Sequence, residues 1–179
     1  HMLGESPRIM YMHIGAHGEA AAIARTIHGA LAQSKTPLGP PSPPVAPSAV
    51  DLDTAGIAAA LGARGRLNGG VYQVSVPRAE QVTDMGHVIP PSMGVATAIN
   101  FQPTGGGKAA ITGDFVMRAS EVNPVVRALQ SHGIVVSALH SHMLGEEPRL
   151  FFMHFWAQDD AITLAKGLRA ALDETKSAK

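Results

Sequence analysis

The chain has 179 residues with 14 basic and 14 acidic side chains, so its formal net charge is zero, and 45% of its residues are hydrophobic. This composition predicts a folded core rather than a disordered chain, and it offers no basic stripe that would bind nucleic acid. The absence of cysteine excludes disulfides, iron–sulfur clusters, zinc fingers and thiol nucleophiles, and no apolar run reaches the ~18 residues that would cross a bilayer.

The first 35 residues repeat without a gap as residues 142–176, and fifteen of the 35 aligned pairs are identical. Because the first copy begins partway through the repeat unit, we expect the chain to be a fragment of a longer protein. Residues 1–35 would be the end of a first repeat and residues 51–179 a complete second one. The retained polar pairs are His1 and His142, Glu5 and Glu146, Arg8 and Arg149, and His13 and His154.

The first copy is predicted to form a strand over 8–16 and a helix over 18–34. Repeats of this kind bury surface against each other, so we expect this unit to pack on the second repeat or on another chain. An exchanged homodimer follows as a prediction. Residues 36–50 are rich in proline and are predicted to be a semi-rigid linker, with an ordered surface loop as the alternative.

The second repeat opens with a short predicted helix that Asp51 caps and a glycine ends. Alternating apolar residues then predict strands over 71–76, 95–101 and 108–117, the last two joined by a turn of glycines at 105–107. This glycine run leads into a strand, so it is interpreted as a turn and not as a phosphate-binding loop.

The next predicted helix is capped by Ser120 or Asn123, carries Pro124 in its first turn and ends at Gly133. Two strands over 134–143 and 149–157 follow, and Asp159 caps a final helix. That helix would bury Ala161, Leu164, Ala165, Leu168 and Leu172, and the first copy repeats the same face as Ala20, Ile23, Ala24, Ile27 and Leu31. The order β-β-β-α-β-β-α predicts an α+β fold, with helices on one side of a mostly antiparallel sheet.

The candidate site lies in the last predicted hairpin. His140 and His142 are two residues apart on a strand and so share a face. If the hairpin pairs about Glu147, His154 lies opposite His140, and Glu146 can fold back over the same face. Three imidazoles and a carboxylate predict a metal site for Zn, Mn, Fe or Cu. The predicted site is formed by His140, His142, His154 and Glu146. Glu146 is expected to be the fourth ligand or a general base.

Several alternatives stay open. The histidines can be hydrogen-bonded to each other in a structural network, with Arg149 paired to Glu146 or Glu147. The site would then belong to a non-catalytic binding module, and a metal store or sensor is a third reading. Among lesser candidates, Asp114 can orient a histidine as an outer acceptor. Asn100 lies beside it on the neighbouring strand, His87 lies in a loop that can cover the site, and His17 and His28 are interpreted as surface residues.

Residues 90–102 (PPSMGVATAINFQ), 111–116 (ITGDFV) and 139–156 (LHSHMLGEEPRLFFMHFW) resemble the LppY/LpqO family of bacterial envelope proteins and lipoproteins. The family typically has His-Asn-His where this chain has His140-Ser141-His142. The resemblance implies export to the cell envelope, a two-repeat architecture and an unknown small-molecule or envelope partner. It supplies no reaction.

Overall fold

The structure is a computed structural model that describes residues 4, 6–35, 38–40 and 50–178. Within these residues the helices are α1 (Ala20–Leu31), α2 (Thr54–Leu61), α3 (Ala119–Ser131) and α4 (Ala161–Asp173). The strands are β1 (Gly65–Asn68), β2 (Val71–Pro77), β3 (Val82–Asp84), β4 (His87–Ile89), β5 (Ala96–Gly105), β6 (Lys108–Met117), β7 (Val135–His140) and β8 (Phe151–Asp160). Residues 36–37 and 41–49 of the predicted linker lie outside the described residues, as do His1 and Glu5.

Six strands form one antiparallel sheet in the order β1-β2-β5-β6-β8-β7, and β3 pairs with β4 in a separate hairpin. Helix α4 packs against both α2 and α3, and the three helices share one core with one face of the large sheet. The predicted α+β class with a mostly antiparallel sheet is therefore confirmed. Strand β1 and the β3–β4 hairpin are additional to the predicted order, because their short segments lack a long alternating pattern.

The main core lies between the sheet and these three helices. Strand β2 supplies Tyr72, Val74 and Val76 to it, while the intervening residues face away. Helix α4 supplies the predicted apolar face, which is fully buried: Ala161, Leu164, Ala165, Leu168 and Leu172. The period of 3.6 residues thus fixes which side of α4 contacts the sheet.

Three predicted helix caps are wrong by one or more residues. Helix α2 begins after Asp53, whose carboxylate accepts from Gly56 N at 2.8 Å, while Asp51 accepts from Gly106 N at 2.8 Å instead. Helix α4 is capped by Asp160, whose Oδ1 accepts from Thr163 N at 2.8 Å, and not by Asp159. Where two acidic residues lie close together at the start of a helix, only the one directly before its first turn places its carboxylate on the N3 amide, here Gly56 N in α2 and Thr163 N in α4.

Helix α3 also starts earlier than predicted. It begins at Ala119, and Glu121 accepts from Arg118 N at 2.7 Å, so neither Ser120 nor Asn123 is the cap. Pro124 consequently lies in the second turn of the helix and not in the first.

Helix α1 and the segment before it differ most from the prediction. Residues 8–17 form no regular strand, and no residue of α1 is buried. On the predicted apolar face only Ile23 and Ile27 are even partly covered, although the equivalent face of α4 is buried. Helix α4, with which α1 aligns in sequence, is buried on the helix-covered face of the sheet, whereas α1 is not.

A buried ion-pair cluster closes one end of the core. Arg78, which is 7% exposed, donates to Glu121 at 2.7 and 3.0 Å, to Glu80 at 3.1 Å and to Val116 O at 2.8 Å. Burial opposes the charge, yet the hydrogen bonds to the two carboxylates raise the pKa of Arg78. Glu121 also accepts from Lys176 N, so the cluster joins β2, α3 and the C-terminal segment.

Within the described ranges, none of the helices combines the length and apolar composition that crossing a membrane requires.

Candidate metal centre

The histidines lie on the sheet face opposite the helices. Directly paired residues of antiparallel strands share a face, and the pairing gives one continuous row: Ser75, Ala98, Asp114, His154 and Ala138. The row crosses β2, β5, β6, β8 and β7. It therefore carries a carboxylate and an imidazole side by side at its centre.

The predicted register of the β7–β8 hairpin is wrong by two residues. His140 pairs with Phe152, and His154 pairs with Ala138. An irregularity between Val136 and Ala138 and the wide connection over 141–150 set this offset. Because the offset is even, His140 and His154 still share a face, and their rings stack with centroids 4.6 Å apart.

Asp114 lies between the imidazoles. Its Oδ2 is 3.1 Å from His142 Nε2, and its Oδ1 is 3.8 Å from His154 Nδ1. Oδ1 is buried and accepts no hydrogen bond from the described residues. A buried carboxylate oxygen without a donor is costly unless a cation or water compensates it, so the atom is a candidate metal ligand.

His140 and His142 bring their Nε2 atoms to within 3.1 Å of each other. Two nitrogens that bind one metal at about 2.0–2.1 Å are separated by about 2.9–3.4 Å, depending on the coordination geometry. The ring of His142 also stacks on Phe152 at 3.6 Å between centroids. Phe152 belongs to a small second core on this face, with Val82, Val95, Val116 and Leu150, and this core fixes the ring.

The backbone sets the tautomer of His154. Its Nδ1 lies 3.0 Å from Gly113 O, and a carbonyl oxygen can only accept, so Nδ1 carries the proton. The lone pair is then on Nε2, as a metal ligand requires.

His140 is held neutral at physiological pH. Burial, together with the neighbouring His154, His142 and His13, lowers its pKa to about 4 against the opposing effect of Asp114. A neutral imidazole is the form that coordinates a metal.

The potential ligand atoms fall into two groups that share His140. Asp114, His140 and His154 form one group, and His13, His140 and His142 form the other, with the atoms of each group within 4.8 Å of one another. The first group comes entirely from β6, β7 and β8. The second includes a residue of the N-terminal segment.

Residues 8–17 pass over the histidines. The His13 ring stacks on His142 at 3.9 Å and lies 5.4 Å from His140, and His17 stacks on His87 at 4.1 Å. His17 and His87 therefore hold the N-terminal segment at a second point. Burial and the neighbouring His142 lower the pKa of His13.

Glu146 lies in a different network. It is 3% exposed, accepts from Leu150 N at 3.0 Å and pairs with Arg149 Nη1 at 3.0 Å. Arg149 also donates to Met143 O and Ser141 Oγ, both at 2.9 Å. The carboxylate is thus at the centre of the 141–150 connection, and neither group of potential ligand atoms includes it.

Reasoning from sequence underestimated two residues. Asp114 was expected only as an outer acceptor, although its place one strand from His154 gives it direct access to the imidazoles. His13 aligns with His154 in the sequence repeat, and this alignment is the feature of the sequence that indicates a ligand. Asn100 lies one row away and bonds to Gln73 at 2.9 Å, and His28 is exposed on α1.

Comparison with known proteins gives a family but no activity. No curated protein and no solved structure matches the chain. The profile of one protein family matches residues 1–33 and 55–174, which is most of the chain and includes every histidine of the cluster. The chain therefore belongs to the family described as Domain of Unknown Function (DUF1259).

Proposed function

We propose that the protein is a metal-dependent enzyme whose site is formed by Asp114, His140 and His154. The observation that carries this proposal is the buried Oδ1 of Asp114, which accepts no hydrogen bond from the described residues and lies among imidazoles. Two histidines and one carboxylate are a common ligand set for Zn²⁺ and for Fe²⁺.

Three protein ligands leave coordination positions for water or substrate. A bound divalent ion in such a site lowers the pKa of its water or polarises a substrate oxygen. In this chain His142 lies beside the ligands, with its Nε2 3.1 Å from Asp114 Oδ2. A carboxylate oxygen can only accept, so Nε2 donates to it and Nδ1 is the nitrogen that can take a proton. The reaction class is therefore metal-assisted hydrolysis, with Asp114, His140 and His154 as ligands and His142 as general base.

Glu146 supports the site from outside. Its bonds to Arg149 and Leu150 shape the connection that carries His142. We assign it the role of a positioning residue.

A non-catalytic binding module is the competing function. The short contact between the Nε2 atoms of His140 and His142, together with the stack on Phe152, is also what a closed structural network would contain. Such a network satisfies its own hydrogen bonds and binds no metal.

Metal analysis separates the two functions. Protein purified without chelator is compared by plasma mass spectrometry with His140→Ala/His154→Ala and with Asp114→Asn. Near-stoichiometric Zn, Mn, Fe or Cu that is lost in both variants supports the proposal and identifies the metal. His28→Ala, an exposed histidine on α1, is the matched control and should retain the metal. Absence of metal in the wild type after incubation with all four ions favours the binding module.

We further propose, from the LppY/LpqO resemblance alone, that the protein is exported to the bacterial envelope and acts there on a small molecule or partner. Fractionation of cells that express the full-length gene product tests this localisation. Recovery in the cytosol contradicts it.

A further inference from the structure

We infer that the site takes a small anionic substrate, whose phosphate or carboxylate group binds to Arg64 and Arg66 beside the metal centre. The part of this inference that concerns the reacting group of the substrate rests on the proposed function. The part that concerns the binding of its anionic group rests on separate observations.

A cavity of about 400 Å³ lies at the β1 side of the sheet. Its volume is within the range of small-molecule sites, about 300–1,000 Å³. The residues of this anion cavity that the argument uses are Arg64, Arg66, Gln73, Ser75, Ala98 and Asn100.

The anion cavity and the metal centre share one face of the sheet. Ala98 lines the cavity and is the direct partner of Asp114 on the next strand. Arg66 pairs with Gln73, which pairs with Asn100, so these residues form the neighbouring row of the same face. From β1 to β6 there are three strand spacings, or about 14 Å. Asp114 on β6 is the ligand nearest the arginines, and His154 on β8 and His140 on β7 lie one and two strand spacings further. A substrate that reaches from the arginines to the metal ligands must therefore be elongated.

The charge at this end of the face is positive and uncompensated. Among the described residues, neither Arg64 nor Arg66 forms an ion pair, whereas Arg78, Arg149 and Arg169 each pair with a carboxylate. The described residues that line the cavity include no Asp or Glu. A planar guanidinium binds phosphate or carboxylate oxygens through two parallel hydrogen bonds, which makes an oxyanion the matching ligand.

The backbone between the two arginines is held in place. Gly65 N donates to Tyr72 Oη at 2.8 Å, and a Cβ at Gly65 would overlap Gln73 O and the Tyr72 ring. Beside it, Gln73 Nε2 donates to Asn100 Oδ1 at 2.9 Å, and Asn68 Nδ2 donates to Gln73 Oε1 at 3.0 Å. A fixed backbone and a floor of paired amides reduce the ordering that ligand binding requires.

The test is a titration of metal-free protein with inorganic phosphate at constant ionic strength, followed by amide chemical shifts in ¹H–¹⁵N spectra. We expect saturable shifts confined to residues 64–66, 73–75 and 98–100. Arg64→Gln/Arg66→Gln should weaken phosphate binding at least tenfold. Arg127→Gln, an exposed arginine on α3 without an ion pair among the described residues, should bind as the wild type does.

A parallel titration with acetate distinguishes the two ligand sources. Tighter binding of phosphate indicates a phosphorylated substrate, and tighter binding of acetate indicates a carboxylate. If the double variant does not fold, Arg66→Glu alone provides the test. Unsaturable shifts, or binding that the arginine substitutions leave unchanged, would overturn the inference.

The metal titration of the same variants keeps the two proposals separate. Arg64→Gln/Arg66→Gln should bind metal as the wild type does, because its substitutions lie outside the ligand set. If the wild type binds phosphate in the cavity but binds no metal, the proposed enzyme function is refuted and the anion site is retained. If the wild type binds metal but neither phosphate nor acetate, only the anion site is refuted.

Discussion

The imidazole of His13 stacks on that of His142 with the two centroids 3.9 Å apart, although the residues belong to different copies of the sequence repeat. The two groups of potential ligands share His140, so a metal bound by His13, His140 and His142 is the alternative to the proposed set, with His142 as a ligand and not as the base. Such a metal would connect the N-terminal segment to the connection between β7 and β8, and in that arrangement Zn²⁺ should slow tryptic cleavage after Arg8, which is exposed. His13→Ala should remove this protection. Cleavage after Arg25, in the exposed helix α1, is the internal reference, and equal protection of wild type and variant would contradict the link.

The Glu146→Gln variant tests whether Glu146 is a metal ligand or a structural carboxylate. Its side chain is buried and holds Arg149 and Leu150 N, so we expect the free energy of unfolding to fall by about 1–3 kcal/mol. Metal content should stay near stoichiometric, whereas Asp114→Asn should lose the metal. Urea denaturation and metal analysis are made on the same preparations. Loss of metal at unchanged stability would instead make Glu146 a ligand.

Acid should destabilise the metal-free protein through His140. Burial and the neighbouring histidines lower its folded-state pKa from 6.5 to about 4. Between these values the unfolded chain binds more protons than the folded one, so stability falls as the pH is lowered through this window. The urea midpoint measured with chelator from pH 7 to pH 4 should fall less in His140→Gln than in the wild type. His28→Gln should follow the wild-type curve, and an unchanged slope in His140→Gln would refute the assignment.

Arg78→Met removes the buried cation that Glu80 and Glu121 share at the end of the core, and Glu80 keeps only its longer contacts to Arg118 and Lys176, both at 3.9 Å. Breaking a buried pair by removing one partner costs about 3–5 kcal/mol, and we expect that loss in the free energy of unfolding. Arg127→Met, on the exposed side of α3, should stay within about 0.5 kcal/mol of the wild type. Thermal and urea unfolding measure both. A cost below about 1 kcal/mol for Arg78→Met would show that the cluster is hydrated.

Self-association is expected from α1, whose apolar face is not buried in the chain. Two copies can cover this face in a symmetric contact, and light scattering should give the mass of a dimer. Ile23→Glu/Ile27→Glu should restore the monomer mass. Ala22→Glu/Arg25→Glu adds acidic groups to the opposite side of α1 and should leave the dimer intact. A monomeric wild type would exclude the homodimer.

Alternating patterns made β2, β5 and β6 predictable, because most of their length buries every second residue against the helices. Strand β8 is a nearly continuous apolar run that also buries Phe152 on the opposite face. The same patterns place His140 and His154 on one face. Their register was not predictable, since it depends on an irregularity in β7 and on a ten-residue connection held by Arg149. Asp114 was likewise underestimated, because strand order and not sequence distance brings it beside His154.

Strand β7 is one of the two edge strands of the sheet, and His140 is its last residue. An edge strand bonds to one neighbour only and opens more easily than the strands inside. An ion held by Asp114, His154 and His140 would fasten three successive strands, β6, β8 and β7, at a single point. The edge would then open only together with the interior of the sheet. Loading the metal should therefore slow hydrogen exchange of the β7 amides to the rate of those in β8, and the metal would determine the cooperativity of the sheet as well as its chemistry.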